Sequence, residues 1–293
     1  MFEQYKTYFK EYISLIFIFF LLVFLGFLLF LDFKSSNKVL TFAILDVGQG
    51  DGIFIESPTG TQIMFDAGPA RSVLGPLARV MSPFDKSIDA FIITNPDSDH
   101  IGGLLDILKN YKIGKVFESG ALTDSKIYQN LREEMKKLNI PAILAKKGMR
   151  LDIGGGVVID ILFPDRNVAS WATNDGSVVA RLVYGKTSIM LTGDASVKTE
   201  KIILSENTLA QLDSDILKVG HHGSRTSTSP LFVKAVSPTY ALISDGKDNK
   251  FGHPHQDTLN TLVSFGAKIF RTDLLGTIII KSDGEKDVFS FRK

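Results

Sequence analysis

Apolar positions are concentrated near the start of the chain, in a run of twenty uncharged residues at 12–31 that lies between Glu11 and Asp32. A helix rises about 1.5 Å per residue, so such a run spans the roughly 30 Å hydrocarbon core of a bilayer. A cleaved signal peptide is the alternative, but its apolar region has about 7–15 residues and precedes a cleavage site of small residues. The following sequence, LFLDFKSSNK, contains no such site. The run therefore predicts one transmembrane helix.

After this run, short apolar segments alternate with polar turns. Runs of β-branched and aromatic residues bounded by Gly, Pro or Asp predict strands, first in VLTFAILDV, GIFIES, TQIMFDAG and IDAFIITN and later in VVIDILFP, SVVARLVYG and TSIMLTGD. Apolar residues at helical spacing predict helices between them, as in SKIYQNLREEMKKLN. Two sets of strands, each flanked by helices, predict an α/β protein with a four-layer αββα sandwich. Active loops are then expected at strand ends along one edge.

The pattern gives a simple organisation, because no linker rich in Pro or Ser interrupts the chain after the first polar link. The predicted parts are a tail at 1–11, a transmembrane anchor at 12–31, a linker at 32–38 and a domain at 39–293. Lysines before and after the apolar run balance each other, so charge does not decide the orientation. A short head and a long following domain favour an exported domain, outside the cytoplasm.

Composition narrows the possible chemistry. The chain has no cysteine, which excludes a disulfide scaffold and a Cys-ligated zinc site. With 33 basic and 32 acidic residues, the net charge of +1 provides no global field for a polyanion. Basic residues cluster only modestly and no stripe of aromatic residues accompanies them, so a dedicated stacking platform for single-stranded nucleic acid is not expected.

The histidines carry the candidate chemistry, since each of the five lies in a loop after a predicted strand, beside Gly, Asp or Pro. They are His100, His221, His222, His253 and His255. Four segments, TNPDSDHIGG, LTGDAS, KVGHHGS and FGHPH, combine imidazole or carboxylate groups with this placement. Such mixed ligands are typical of a divalent metal site for hydrolysis. An Asx-rich turn that caps a helix is the alternative for the first segment, but it would not explain His100.

The order of the motifs LDVGQGD, DAG, TNPDSDHIGG, TGD, LKVGHHGSRTSTSP and NKFGHPHQDTL closely resembles the metallo-β-lactamase superfamily. Within that superfamily, residues 39–293 resemble the hydrolase domain of ComEC-type competence proteins, which act in DNA uptake. The resemblance implies the same αββα fold and a hydrolase with a two-metal site.

The resemblance also implies a set of metal ligands. The superfamily signature His-x-His-x-Asp-His aligns with Asn95, Asp97, Asp99 and His100, so its first imidazole is missing. Asp194 aligns with the carboxylate that bridges two metals. His221 aligns with the later histidine, and His222 is the neighbour that could replace it. Asn174 occupies the asparagine position between these motifs.

These positions predict two unequal metal sites. The firm site has the ligands Asp99, His100, Asp194 and His221. The weak site has Asn95, Asp97, Asn174 and Asp194, an oxygen-rich set that suits Mn²⁺ or Mg²⁺ better than Zn²⁺. The expected cofactor is therefore a divalent metal, Mn²⁺ or Zn²⁺ with Mg²⁺ as an alternative. Asp99 and Asp194 are the expected catalytic residues, the first orienting or deprotonating water and the second holding both ions.

Three residues are candidates for substrate contact. His253, in a Gly-His-Pro loop, resembles the superfamily loop that contacts substrate oxyanions. His222 and Ser224 follow the same histidine motif, and Ser224 is equally compatible with a turn hydroxyl. Asp66 is ambiguous between a turn former and a hydrogen-bond acceptor that supports a ligand. The VGQGD segment at 47–51 is expected to be a turn joining two strands.

The leading interpretation is a single-pass membrane hydrolase, a phosphodiesterase or nuclease that acts on DNA outside the cell. Its expected partners are membrane lipid through residues 12–31, DNA or another phosphodiester, and channel proteins of a DNA-uptake machine. Two alternatives remain. One is a hydrolase of another substrate, such as a cell-wall phosphoester or a lactone. The other is a non-catalytic DNA-binding module of an uptake machine.

Overall fold

The structure is a computed structural model that describes residues 12–28 and 39–293. The chain divides into two units, Met1–Lys38 and Val39–Lys293. In the first unit, residues 12–28 form helix α1. The predicted tail at 1–11, the last three residues of the predicted anchor and the linker at 32–38 lie outside the described residues. Over the described part of the chain, no helix meets both the length and the apolarity that crossing a bilayer requires.

The second unit is built on two β-sheets. The strands of the first are β1 (Leu40–Ile44), β2 (Ile53–Glu56), β3 (Gln62–Phe65), β4 (Ser87–Ile93), β5 (Lys112–Glu118), β6 (Ala142–Leu144), β14 (Thr277–Ser282) and β15 (Asp287–Arg292). The strands of the second are β7 (Arg150–Asp152), β8 (Val157–Phe163), β9 (Val179–Tyr184), β10 (Thr187–Leu191), β11 (Ile216–Lys218), β12 (Tyr240–Ile243) and β13 (Lys268–Arg271). Their spatial orders are β15-β14-β1-β2-β3-β4-β5-β6 and β13-β12-β11-β10-β9-β8-β7.

Nine α-helices connect these strands in the described residues of the second unit. They are α2 (Leu74–Val80), α3 (Ser98–Ile101), α4 (Leu104–Asn110), α5 (Lys126–Lys137), α6 (Val197–Glu206), α7 (Leu209–Leu212), α8 (Pro230–Val236), α9 (Gln256–Ser264) and α10 (Thr272–Leu275). Ser125 caps α5 by accepting from the Tyr128 N–H, and Ser229 caps α8 in the same way through Phe232.

The alternation of side chains along the strands produces four layers. In β1, Phe42 and Ile44 join a core cluster that contains inward-facing residues of both sheets, such as Ile189 of β10. The intervening Ala43 joins a second cluster with residues of α4 and α5. On the outer side of the second sheet, Met190 packs in a third cluster with residues of α6 and α8. Side chains of a strand point alternately to its two faces, so each sheet is covered on both. The predicted α/β sandwich is confirmed.

The edge at which active loops should lie follows from the strand directions. Strands β3 to β6 are parallel in the first sheet, and β10 to β13 are parallel in the second. Loops that leave the carboxyl ends of parallel strands lie together, and sites of α/β proteins form there.

Candidate metal centre

Polar side chains collect where central strands of both sheets end. Asp99 and His100 belong to α3, which follows β4 in the first sheet. Asp194 follows β10, and His222 lies in the turn after β11 in the second sheet. The group therefore exists only because the two sheets stack with these ends together.

Four of these side chains bring their metal-binding atoms within 4.8 Å of one another, namely Asp99, His100, Asp194 and His222. His100 Nε2 lies 3.1 Å from Asp194 Oδ2. His222 Nε2 lies 3.4 Å from Asp99 Oδ2 and 3.6 Å from Asp194 Oδ1. Two imidazoles and two carboxylates therefore converge in a space small enough to hold one ion.

The donor atoms of this group fit a cation. Among the residues that the structure describes, His100 Nε2, Asp194 Oδ1 and His222 Nε2 are buried, and none of them makes a contact with hydrogen-bond geometry, although carboxylate oxygens lie 3.1 Å from His100 Nε2 and 3.4 Å from His222 Nε2. A buried polar atom normally has a partner, because leaving it unsatisfied costs about 1–3 kcal/mol. Nitrogen and oxygen donors in this mixture are ligands of Zn²⁺ and Mn²⁺. The cluster could therefore bind a divalent metal ion.

Neighbouring charges shift the pKa values of the side chains in this group. Burial lowers the pKa of His222, but Asp194 and Asp51 outweigh it and raise that pKa to about 10. Burial also lowers the pKa of His100, but the charges of Asp194 and Asp66 outweigh it and bring that pKa well above its usual value. Burial raises the pKa of Asp194, but the imidazoles bring it well below its usual value. A cation that binds here must displace protons from the imidazoles.

Hydrogen bonds hold the two buried imidazoles so that one nitrogen of each is available to the group. His100 Nδ1 lies 2.8 Å from Asp66 Oδ2, and Thr94 Oγ1 donates to the same oxygen. His222 Nδ1 donates to the Ser244 carbonyl at 2.9 Å. These partners place the Nδ1 proton and orient Nε2 as a ligand. Asp66 therefore supports a candidate ligand, one of the two roles that its sequence position left open.

The adjacent His221 is placed differently. Its side chain is 25% exposed, its Nε2 lies 3.7 Å from Asp194 Oδ2, and its Nδ1 is within hydrogen-bond distance of Thr226 Oγ1. The side chain of His222 is 1% exposed. Of the predicted ligand His221 and its possible replacement His222, the geometry brings His222 into the four-residue group and leaves His221 beside it.

Both histidines have left-handed backbones, with φ of 49° for His221 and 55° for His222. Such angles in non-glycine residues cost of order 1–3 kcal/mol each and cluster at functional sites. The turn after β11 is therefore a strained segment held by its surroundings, which keeps the two rings in their different places.

The predicted weak site has a different character. Asp97 accepts from Thr173 Oγ1 at 2.8 Å, and burial raises its pKa. Asn95 is fully buried, with Oδ1 accepting from the Asp97 N–H and Nδ2 donating to Ser177 Oγ. Both ends of the Asn95 side chain thus have protein partners, as in a turn. Asn174 Oδ1 is buried and has no partner among the described residues.

A cavity of about 340 Å³ opens above the group. Its lining includes Gln49, Asp97, Asp99, Asn174, Asp194, His221, His222, Phe251 and His253. Burial and the neighbouring His221 lower the pKa of His253 to about 4, so this imidazole is neutral at neutral pH. Ser224 is buried, and its Oγ lies 3.0 Å from Thr226 Oγ1, a contact that a turn hydroxyl would make. Its contact with substrate stays a prediction.

Sequence reasoning missed a buried ion pair beneath His222. Lys218, at the end of β11, is 0% exposed and contacts Asp51 and the Gly193 carbonyl. Asp51 Oδ1 lies 3.4 Å from His222 Nδ1. Burial raises the pKa of Asp51, but Lys218 and His222 together bring it down to about 2. The sequence signal was weak, because a lysine at the end of a short apolar run is also typical of a solvated strand end.

Comparison with known proteins identifies relatives. The family model described as the metallo-beta-lactamase superfamily matches residues 45–244. ComE operon protein 3 of Bacillus subtilis is 32% identical, covering 84% of this chain and 34% of that protein. Recombination protein 2 of Haemophilus influenzae is 30% identical, covering 88% and 31% respectively. These relatives are ComEC-type competence proteins, as the motifs predicted, and this chain spans about a third of their length.

Among solved structures, CmlA, a diiron beta-hydroxylase from Streptomyces venezuelae, superposes with a TM-score of 0.54 and 13% identity. The match covers 86% of this chain and 54% of that chain and concerns the fold alone. The family match, in contrast, rests on sequence over most of the chain and includes all four residues of the candidate metal group. The chain therefore belongs to the metallo-β-lactamase superfamily.

Proposed function

We propose that this protein is a metal-dependent phosphodiesterase that cleaves DNA. The observation that carries the proposal is the convergence of Asp99, His100, Asp194 and His222 beside an open cavity. Within the described residues, His100 Nε2, Asp194 Oδ1 and His222 Nε2 are buried donor atoms without a hydrogen bond. The names of the relatives, which include competence and recombination proteins, support DNA as the substrate.

The four residues of the group would hold the ion. A divalent cation bound there would supply charge stabilisation to a phosphoryl group and lower the pKa of water. Asp99 is 30% exposed beside the cavity, and although burial raises its pKa, His222 and His100 lower it below the usual value. It is therefore ionised at neutral pH and can accept the proton of an attacking water. The neutral His253 lines the same cavity and can form a hydrogen bond with a phosphate oxygen.

A weak second ion remains part of the proposal. Asp97 and Asn174 line the cavity beside Asp194, and they can supply oxygen donors for Mn²⁺ or Mg²⁺. Asn95 is the poorest candidate of the predicted set, because both ends of its side chain already have partners.

Activity on a substrate panel tests this function directly. The full chain in detergent is supplied with Mn²⁺ or Zn²⁺ and assayed on single- and double-stranded DNA, RNA, bis(p-nitrophenyl) phosphate and a lactone. Cleavage of DNA and of the chromogenic diester is expected, and Asp194→Asn should abolish both. Hydrolysis of the lactone alone would support a different hydrolase instead.

A non-catalytic DNA-binding module is the second candidate. It is favoured by the weak second site, where Asn95 is engaged in a turn and Asp97 accepts from Thr173. DNA binding without cleavage of any diester in the panel, under every metal condition, would support it.

We also propose that residues 12–31 anchor the protein in a membrane with the catalytic domain outside the cytoplasm. Support comes from the uncharged twenty-residue run and from the exposure of every described side chain of α1. Protease added to spheroplasts should digest the domain and leave a cytoplasmic control protein intact. A protected domain, with an exported control digested, would reverse the orientation.

A further inference from the structure

The loop between β12 and α9 presents one aromatic ring to the cavity above the metal group. Phe251 lines that cavity and is 52% exposed. Its ring stacks on His253, with centroids 5.7 Å apart and an angle of 22° between the ring planes. The flexible Lys250 side chain places its Nζ over the same ring, 5.1 Å from the centroid, so a stacking partner would take the place of this ammonium. A flat apolar surface therefore adjoins the polar group at which the proposed chemistry occurs.

The loop is preformed by a single side chain. Asn249 Nδ2 donates to the carbonyls of Gly246 and His253, at 2.9 and 2.7 Å. Its Oδ1 accepts from the N–H groups of Phe251 and His253, at 3.2 and 3.0 Å. These four hydrogen bonds fix the backbone on both sides of the ring. A partner that stacks on Phe251 then loses little free energy to ordering of the loop.

We propose that Phe251 is a stacking platform for an unpaired nucleobase of the DNA strand whose phosphodiester lies at the metal group. The inference rests on the proposed function and specifies its substrate as a single strand or an unpaired end. Every nucleobase has a flat π-face that stacks on an aromatic side chain, whereas a base inside a duplex has both faces covered by its neighbours. Lys247 and Lys250 of the same loop are exposed and so is Asp248 between them, which leaves the segment 247–250 with one net positive charge for the strand's phosphates.

The sequence did not predict this platform because it lacks a periodic aromatic stripe. One ring suffices here, since the fold supplies the rest of the site: His253 supports the ring and Asn249 holds the loop. The exposed ring, the adjoining cavity and the lysines on the loop together favour a nucleotide strand over an apolar partner.

The test compares two oligomers of equal length and equal phosphate charge. One is oligothymidylate, and the other carries an abasic tetrahydrofuran in place of every nucleoside. Binding to the full chain in detergent is measured by fluorescence anisotropy with no metal added, and kcat/KM is measured with Mn²⁺. Stacking contributes about 1–3 kcal/mol per base, so oligothymidylate should bind about 5- to 150-fold more tightly than the abasic oligomer.

Three variants separate stacking from other effects. Phe251→Ala should remove most of the preference for oligothymidylate, and Phe251→Trp should retain it. Phe84→Ala is the matched control, because Phe84 is 95% exposed and lies in the loop between α2 and β4. This control should leave the preference unchanged.

Two results would overturn the platform. One is equal binding of both oligomers by the wild type, and the other is an equal loss of both in Phe251→Ala, which would make the ring an unspecific contact. Because binding is measured without turnover, failure of the proposed function is a separate result. A protein that prefers oligothymidylate but cleaves neither oligomer nor bis(p-nitrophenyl) phosphate would support the stacking role of Phe251 and contradict the proposed phosphodiesterase activity.

Discussion

At the scale of single residues, the two histidines of the turn after β11 are chemically identical but differently placed. His222 is buried, with its Nδ1 donating to the Ser244 carbonyl and its Nε2 near two carboxylates. His221 is partly exposed and contacts Thr226. Alignment to a motif could name either residue as the ligand. Burial and the hydrogen bond at the opposite ring nitrogen distinguish them, because they determine which nitrogen lone pair is available.

We therefore expect His222→Ala to weaken metal binding more than His221→Ala does. Loss of a residue that only supports a ligand typically costs 10–100-fold in affinity, and removal of the ligand itself should cost more. Titration calorimetry with Zn²⁺ or Mn²⁺ measures both variants, and His255→Ala is the control because His255 lies outside the four-residue group. A larger loss of metal affinity in His221→Ala than in His222→Ala would indicate that His221 is the ligand.

The buried pair of Lys218 and Asp51 yields a second prediction. Lys218→Met removes one of the two cationic neighbours of the buried Asp51 carboxylate and leaves only His222 beside it. Removing one partner of a buried ion pair typically costs about 3–5 kcal/mol. Asp51→Asn in the same chain should recover part of that loss, since the uncompensated charge is gone. Urea unfolding of the two single variants and the double variant measures the coupling. Additive losses in this cycle would mean that the two charges do not act as a pair.

At the scale of elements, the site depends on close contact between the turn that joins β1 and β2 and helix α3. Gly50, in the turn between β1 and β2, has φ of +140°, and a Cβ there would lie 2.2 Å from the Asp99 carbonyl oxygen. The N–H of Asp51 donates to that same oxygen. The turn therefore supports the segment that carries Asp99 and His100, and only glycine allows the approach.

Gly50→Ala should consequently destabilise the domain and weaken metal binding together. Gly60→Ala is the matched control, because Gly60 also has positive φ, +86°, but a Cβ at that residue would have no other atom within 4 Å. The control should cost about 1–3 kcal/mol for backbone strain alone, without a change in metal affinity. Thermal unfolding and metal titration measure both effects. Equal behaviour of the two variants would exclude a supporting role for the turn.

The sequence predicted those elements whose pattern is local. An apolar run that ends in a turn predicted β1. Apolar residues at helical spacing on one face predicted α5. The short strands β6 and β7 were missed, because three partly exposed residues carry no clear alternation. In the site, Asp51 and Lys218 were missed for a related reason. Their contact joins positions 167 residues apart, and each residue alone is typical of a turn or a solvated strand end.

At the scale of the whole molecule, the candidate metal group joins the two sheets. Asp99 and His100 come from the first sheet, and Asp194 and His222 come from the second. An ion bound by all four would act as a further cross-link between two halves that the apolar core and the Lys218–Asp51 ion pair already join. Metal binding should therefore be measurable as stability of the domain, independently of catalysis.

The last prediction combines this link with titration of the site. His222 has a pKa of about 10 in the folded protein, against about 6.5 in an unfolded chain. In the metal-free protein, the stability from this raised pKa is fully present below pH 6.5 and is lost as the pH rises towards 10. Metal affinity should instead increase as the pH rises, since the ion competes with the proton on His222. Ion at about 100 times its Kd adds about 2.7 kcal/mol, or about 5–11 °C in Tm for a domain of this size. Calorimetric scans with EDTA or Mn²⁺ should therefore show a difference in Tm that widens from pH 6.5 to pH 9, whereas a difference independent of pH would exclude His222 as a ligand.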